Sequence, residues 1–291
     1  MGTSTAPAPI QLKFTGAAPR LIAQVHEKIN TVARTFPVKG ADGNTWNLDF
    51  DEHLTSGTGG KLPFGYEVSK VEADLRQKIL ILPKTYDATP KSVMALNEFN
   101  AFLTKKSAPE IYTDPILDQR VASDDNFVAF SDYTLNAPGT SHYAPGRFRL
   151  HQALKTNGWD INIVTQLIGL GVLAFNAGYS FWPMNSIAGG DFTNGLTILI
   201  DTVAHALIFV KDYSYSSVRG KYDIELVFEL YDGFGLNDAN IERAGYCAQL
   251  VNRFAENEGF TAWWQLQHQF AYAPLVTKVS VTRSFSGISA I

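Results

Sequence analysis

The chain has 291 residues, 45% of them hydrophobic, which is enough to bury a core in one large domain or in two of ordinary size. Its net charge of −4 and the lack of any basic run argue against nucleic acid as a partner, because non-specific affinity for phosphates needs clustered lysine and arginine. The single cysteine, Cys247, excludes an intrachain disulfide and a cysteine-based zinc site. No metal site is predicted, and no particular cofactor is indicated.

The first nine residues have neither the charged region nor the apolar run of a secretory signal peptide. We therefore expect synthesis in the cytoplasm, with export by another route if the protein is secreted. The most apolar stretch, residues 161–175, is shorter than the roughly 20 residues that span a bilayer. This favours a buried helix over insertion into a membrane.

Helices dominate the prediction for the N-terminal part, residues 1–146. Pro19 suits a first helical position, and apolar residues recur at helical spacing from there to Pro37. A loop is expected over residues 39–60, followed by a strand or helix end at 79–82 and a helix that starts at Thr89 and Pro90. Residues 107–146 show no sustained period, which predicts a long ordered loop or a domain boundary.

The C-terminal part, residues 147–291, is predicted as a separate module in which a sheet packs against helices. Two helices are expected at 147–156 and 160–177, and another follows a cap at Asp238. Alternating apolar residues predict strands at 196–201, 222–231 and 275–285, and an aromatic helix occupies 260–270. The fold class is therefore α+β, with a mainly helical N-terminal part and an antiparallel sheet in the C-terminal module.

The turn after the second of these strands is the best candidate for a site. It contains the sequence YDGFGLND, residues 231–238, and its two glycines permit tight or left-handed backbone. Asp232 and Asp238 could direct two carboxylates toward one point, where a reacting group would sit. The spacing does not match the calcium-binding loop. A turn followed by a helix cap explains the same residues.

Two other groups of polar residues are candidates for catalysis. Asp201 and His205 lie roughly 13 Å apart on a straight strand, but they become neighbours if the chain turns helical after Asp201. An aspartate that orients a histidine is a recurrent arrangement for general base catalysis. The carboxylates of Asp223, Glu225 and Glu229 share one strand face, which fits either acid and base chemistry or a solvated sheet surface.

Aromatic side chains are concentrated in the predicted helix 260–270 and in the turn before it. Trp263, Trp264, His268 and Tyr231 are candidates for substrate binding, because an aromatic ring can stack on a sugar. Burial in the core is the favoured alternative for the two tryptophans.

Three segments resemble an uncharacterised family of bacterial C-terminal domains, found in proteins that are fused to, or encoded near, PAAR tips of type VI secretion. They are IDTVAH at 200–205, YDGFGLNDANI at 231–241 and GFTAWWQLQHQFAYAPLVTKV at 259–279. The resemblance covers about a third of the chain, and Gly233 stands where a bulkier residue is common. It implies a toxin-like effector, with a secretion-system tip or adaptor and an immunity protein as possible partners, and it assigns no catalytic residue.

These observations together predict a secreted antibacterial effector that acts on the cell envelope, by degrading peptidoglycan or its lipid-linked precursor. One alternative is a membrane-active toxin that inserts residues 161–175. Another is a binding or structural component of a secretion particle that performs no chemistry. The sequence leaves these three functions open.

Overall fold

The structure is a computed structural model, and it describes residues 11–14, 18–26, 31–57, 62, 67–87, 93–136, 145–162, 195–200, 203–238, 240–241 and 254–289. These residues form an α+β fold, as predicted. One six-stranded sheet carries helices on one face and a two-stranded hairpin on the other.

Three long antiparallel strands form the centre of the main sheet. The strands of the protein are β1 (Gln11–Phe14), β2 (Arg20–His26), β3 (Arg34–Lys39), β4 (Thr45–Phe50), β5 (Glu110–Tyr112), β6 (His205–Ser216), β7 (Lys221–Phe234) and β8 (Leu275–Ser289). The main sheet has the order β1-β6-β7-β8-β5, and β2 pairs with the first half of β6, on the same edge as β1. Strand β5 runs parallel to β8, while β3 and β4 pair only with each other.

Of the helices in the described residues, three lie between β4 and β5, four between β5 and β6, and one between β7 and β8. They are α1 (Glu72–Lys78), α2 (Ile81–Tyr86), α3 (Met94–Phe102), α4 (Pro115–Ala122), α5 (Asp125–Asn136), α6 (Gly146–Thr156), α7 (Leu196–Leu199) and α8 (Phe254–His268). A 3-10 turn, Glu52–Leu54, follows β4. Among the described residues, no helix is both long and apolar enough to cross a bilayer.

Period-two alternation divides β7 between two cores. Its even-numbered residues from Tyr222 to Leu230 are buried against the helices, as predicted. On the opposite face, Val227 and Tyr231 pack against Leu48 and Phe50 of the β3–β4 hairpin. The main sheet is therefore covered on both faces near the end of β7.

A buried ion pair fastens the hairpin to the main sheet. Glu229 is almost fully buried, and it contacts the Lys278 ammonium at 2.7 Å. Its carboxylate also accepts hydrogen bonds from the Tyr231 hydroxyl at 2.8 Å and the Ala41 amide at 3.2 Å. Since every partner is in place, the pair holds the two sheets in register. The solvated surface predicted for this strand face is wrong at Glu229.

The helix predicted over residues 19–37 is wrong, because strands β2 and β3 occupy this stretch. Pairing with β6 overrides the local apolar spacing, and a bulge at Leu21 and Ala23 disturbs the period-two alternation. Pro37 is tolerated because β3 has a pairing partner on one edge only. The predicted loop over 39–60 likewise contains β4 and the 3-10 turn.

Two other assignments are corrected, and several are confirmed. Residues 107–146 are not a long loop, since they contain β5, α4 and α5. Helix α4 begins with Pro115 at its first position, and the Asp114 side chain caps it by accepting from the Ile116 amide. The strand predicted at 196–201 is helix α7, and the strand begins only at His205. Strands β7 and β8 and helices α6 and α8 are confirmed.

Residues on both sides of position 146 share one sheet and one core. Strands β1, β2 and β5 come from the N-terminal part and pair with β6 and β8. The main core likewise combines residues such as Phe99 and Phe127 with Phe228 and Trp263. The described N-terminal part has more residues in helices α1 to α5 than in strands β1 to β5, and its strands complete the shared sheet.

Candidate functional site

The predicted turn at residues 231–238 is tightly packed. The Leu236 amide donates to the Gln267 side-chain oxygen at 2.9 Å, and the Leu236 carbonyl accepts from the Gln267 side-chain nitrogen at 3.1 Å. The same carbonyl lies 2.8 Å from Nε2 of His268. A Cβ at Gly235 would overlap the His53 carbonyl oxygen, so glycine is required there for close approach.

The two aspartates of this turn have different surroundings. Asp238 is exposed and accepts a hydrogen bond from Nε1 of Trp264 at 3.0 Å. The predicted helix cap, Asp238, is wrong, because Asn237 caps the helix. The side-chain oxygen of Asn237 accepts from the Asn240 amide at 2.9 Å, and that of Asn240 accepts from the Asn237 amide at 2.9 Å. Asp232 lies in β7, where it accepts from the Gly233 amide. No group of residues suited to a metal ion occurs within the described ranges.

The predicted aromatic binding residues are buried. Trp263 and Trp264 belong to the main core, where Trp263 packs 4.5 Å from the Phe234 ring, as the core alternative predicted. His268 is buried against Trp264, and burial holds its pKa below the usual range. Tyr231 has no exposed surface. A sugar therefore cannot stack on these four rings in this conformation.

His205 is a buried histidine at the start of β6. Its Nε2 lies 2.5 Å from the Asp49 carbonyl oxygen, and the Phe50 ring packs edge-on at 5.1 Å. These contacts attach β6 to the β3–β4 hairpin. Asp201, its predicted partner, lies outside the described residues.

A row of polar side chains crosses three strands where β7 ends. The register pairs Tyr112 of β5 with Thr277 of β8, and Thr277 with Asp232 of β7. Register partners share a sheet face, so the three side chains lie on the side covered by the helices. Thr277 is fully buried, whereas Tyr112 and Asp232 are half-buried. The ends of the row therefore lie closer to solvent than its centre.

Helix α3 places a carboxyl group against the centre of this row. The Thr277 hydroxyl donates to Oε1 of Glu98, while Oε2 of Glu98 has no hydrogen-bond partner in the part of the chain that the structure describes. Glu98 is fully buried, and burial is the main cause that raises its pKa to about 8, with a smaller effect from the Asp114 carboxylate. Glu98 is therefore a neutral acid at pH 7.

Asp114 brings a second carboxyl group to the cluster. Its oxygens accept hydrogen bonds from the Tyr112 hydroxyl at 3.1 Å, the Asn97 amide nitrogen at 3.0 Å and the Ile116 amide at 2.8 Å. Burial and then the charges of Glu98 and Asp114 raise the pKa of Tyr112. We call Glu98, Asp114, Tyr112, Thr277 and Asp232 the carboxyl cluster. Because Glu98 and Asp114 have such different hydrogen-bond partners, the two acids can serve different roles in proton transfer.

Of the predicted catalytic residues, only Asp232 belongs to the carboxyl cluster. Glu98 was missed, although the sequence carries a signal for it: Met94, Glu98 and Phe102 follow at four-residue spacing, which puts a glutamate on a buried helix face. The pairing of β5 with β8, which joins residues 165 apart, has no local signal.

A histidine and aspartate pair was also missed. Nδ1 of His53 contacts the Asp51 carboxylate, and the His53 side chain is 28% exposed. Burial raises the pKa of Asp51, but the hydrogen bonds and charge of His53 outweigh it and hold this pKa below its usual range. Asp51 also caps the 3-10 turn through the His53 amide. The contact between Asp51 and His53 orders the 3-10 turn Glu52–Leu54, which covers Gly233 and Gly235.

The protein is thus an α+β protein in which a buried, neutral glutamic acid, Glu98, lies against a polar row across three strands. No protein-family model matches the chain, and searches among curated proteins and solved structures found no significant match. Only Ile161 and Asn162 of the apolar stretch 161–175 are among the described residues.

Proposed function

We propose that the protein is an antibacterial effector enzyme that hydrolyses peptidoglycan or its lipid-linked precursor, with Glu98 as the proton donor. The observation that carries this proposal is the raised pKa of Glu98, about 8, in a cluster with two other carboxyl groups. A carboxyl group that keeps its proton at neutral pH can donate it to a leaving group. The resemblance of segments 231–241 and 259–279 to toxin-associated domains supports the choice of an envelope substrate.

The burial of each member suggests how the cluster would work. Asp232 and Tyr112 are half-buried, so in this proposal they contact the substrate. The Thr277 hydroxyl contacts Glu98, and its strand position neighbours Asp232. In this proposal the Thr277 hydroxyl rotates, so that it accepts the proton of Glu98 and passes its own proton toward Asp232 at the half-buried end of the row. The Asp114 charge helps to keep Glu98 protonated until then.

Dye release from labelled peptidoglycan, together with turnover of the lipid-linked precursor, tests the proposal. We expect Glu98→Gln and Asp232→Ala to abolish hydrolysis, and we expect the native activity to fall as the pH rises through about 8, where Glu98 loses its proton. Glu110→Gln is the matched control, since this carboxyl group lies exposed on the neighbouring β5 and pairs with Lys106. Full activity in folded Glu98→Gln would remove Glu98 from the mechanism.

The same proposal implies delivery into a target cell and protection of the producing cell by an immunity protein. Expression directed to the bacterial periplasm should be toxic, and a small neighbouring reading frame should suppress that toxicity. Liposome leakage without hydrolysis would instead support the membrane-active alternative.

A further inference from the structure

Three buried polar atoms that have no hydrogen-bond partner among the described residues lie between helix α6 and the main sheet. They are Nδ1 of His151 on α6, the hydroxyl oxygen of Tyr213 on β6 and that of Tyr222 on β7. The three residues are 5%, 3% and 1% exposed. Buried polar groups in folded proteins nearly always have a hydrogen-bond partner, and each one left without a partner costs about 1–3 kcal/mol. Three in one place point to a ligand that completes the site.

Aromatic rings bring these atoms together. Tyr213 and Tyr222 are stacked, with ring centroids 5.3 Å apart. The register partner of Tyr222 is Tyr215, whose ring lies 4.7 Å from the His151 ring and stacks on Trp159 at 5.1 Å. Trp159 and Tyr215 are half-buried. We call these five residues the aromatic cluster.

Trp159 is held over the cluster by a strained backbone. Its φ of 67° lies in the left-handed region, which is costly for a residue with a bulky side chain, and Gly158 before it has a φ of 64°. The Trp159 amide donates to the Leu154 carbonyl at 2.7 Å, so the turn is fixed to α6. Strain of this kind persists where function requires it. In this conformation the Trp159 ring covers Tyr215, so a ligand reaches the buried hydroxyls only if the turn moves.

The polar groups of the cluster are uncharged near neutral pH. Burial raises the pKa values of Tyr213 and Tyr222, and for Tyr222 it outweighs the lowering by the Arg147 charge. Burial and then the charge of Lys155 lower the pKa of His151. The hydroxyls and the imidazole can each donate or accept a hydrogen bond. A matching ligand is neutral, carries hydroxyl groups and has apolar ring faces that can stack on the aromatic rings.

We propose that the aromatic cluster binds one sugar unit, with the Trp159 turn as its cover. The site goes beyond the proposed hydrolysis, because ten residues of β7 separate Tyr222 from Asp232, a distance of about 33 Å. It would hold a sugar chain away from the carboxyl cluster. Binding here does not depend on Glu98, so the two proposals can fail separately.

Calorimetric titration of the full chain with soluble N-acetylglucosamine oligomers tests the proposal. We expect the native protein to bind, and we expect Tyr222→Phe to bind about fivefold more weakly through the loss of one hydrogen bond. Because this hydroxyl has no partner in the closed form, Tyr222→Phe should unfold at the same temperature as the native protein or a higher one. A purely structural role for Tyr222 does not predict that combination.

Two further variants complete the test. Trp159→Gly removes the ring and also relieves the left-handed backbone, so it should stay folded and lose binding. Tyr133→Phe on α5, also half-buried, is the control and should bind as the native protein does. The proposal is overturned if the native protein binds no oligomer, if all variants bind equally, or if inorganic phosphate binds in place of the sugar.

Discussion

Glu98 is the residue whose chemistry is changed most clearly by burial. Its pKa in the folded protein, about 8, is above the ordinary value of 4.5, so the unfolded chain releases the proton at a lower pH than the folded protein. The stability contributed by the neutral carboxyl group is complete below about pH 4.5. It is lost as the pH rises toward 8, by up to about 1.4 kcal/mol per pH unit.

We predict that Glu98→Gln gains stability relative to the native protein as the pH rises from about 5 to 8, because glutamine has no proton to lose. Urea denaturation at several pH values measures the difference in the free energy of unfolding. Glu110→Gln, on an exposed position, should show a difference that hardly changes with pH. A pH-independent difference for Glu98→Gln would mean that this carboxyl group is not neutral in the folded state.

Single residues were partly predictable from the sequence. Asp232 was placed in a candidate site because it stands with Asp238 in a turn that contains two glycines, and burial in the core was the favoured alternative for Trp263. The neutrality of Glu98 depends mainly on its burial, against which the Thr277 hydrogen bond from β8 lowers its pKa, and to a smaller extent on the Asp114 charge from the loop after β5. Such a meeting of distant residues leaves no trace in local sequence.

At the scale of elements, the helix that begins after the 231–238 turn has a cap that can be tested. Asn237→Ala should lower the free energy of unfolding by about 1 kcal/mol, because the capping hydrogen bonds with Asn240 are lost. Asp238→Ala should cost less, since its carboxylate is exposed and loses only the Trp264 contact. Thermal and urea denaturation compare the two variants. A larger loss of stability in Asp238→Ala than in Asn237→Ala would mean that Asp238 caps the helix.

Elements with strong periodicity were predicted well, and elements stabilised by distant pairing were not. Strands β7 and β8 have long stretches with an apolar residue at every second position, such as Tyr222 to Leu230, so their period is visible without the fold. Strand β2 is short, contains a bulge and exists because β6 pairs with it. Its apolar residues happened to follow helical spacing. Tertiary pairing decided the outcome there.

At the scale of the whole molecule, neither half has a complete sheet. We predict that residues 147–291 expressed alone lack a cooperative thermal transition, because β1, β2, β5 and the β3–β4 hairpin are missing from the sheet and its two cores. Circular dichroism during heating checks this, with the full chain as the control. Co-expression with residues 1–146 should restore the transition. A sharp transition in the fragment alone would establish an independent C-terminal domain.

The pairing of the first strand with β6 has a consequence for the time course of synthesis. Gln11 pairs with Ser216, and the ribosome needs roughly ten to forty seconds to make the intervening chain. During that interval β1 and β2 emerge without partners, and contacts of such long sequence separation form slowly. Strand β8, which carries Thr277, is made last among the strands. The nascent protein therefore lacks the three-strand polar row until β8 has been made.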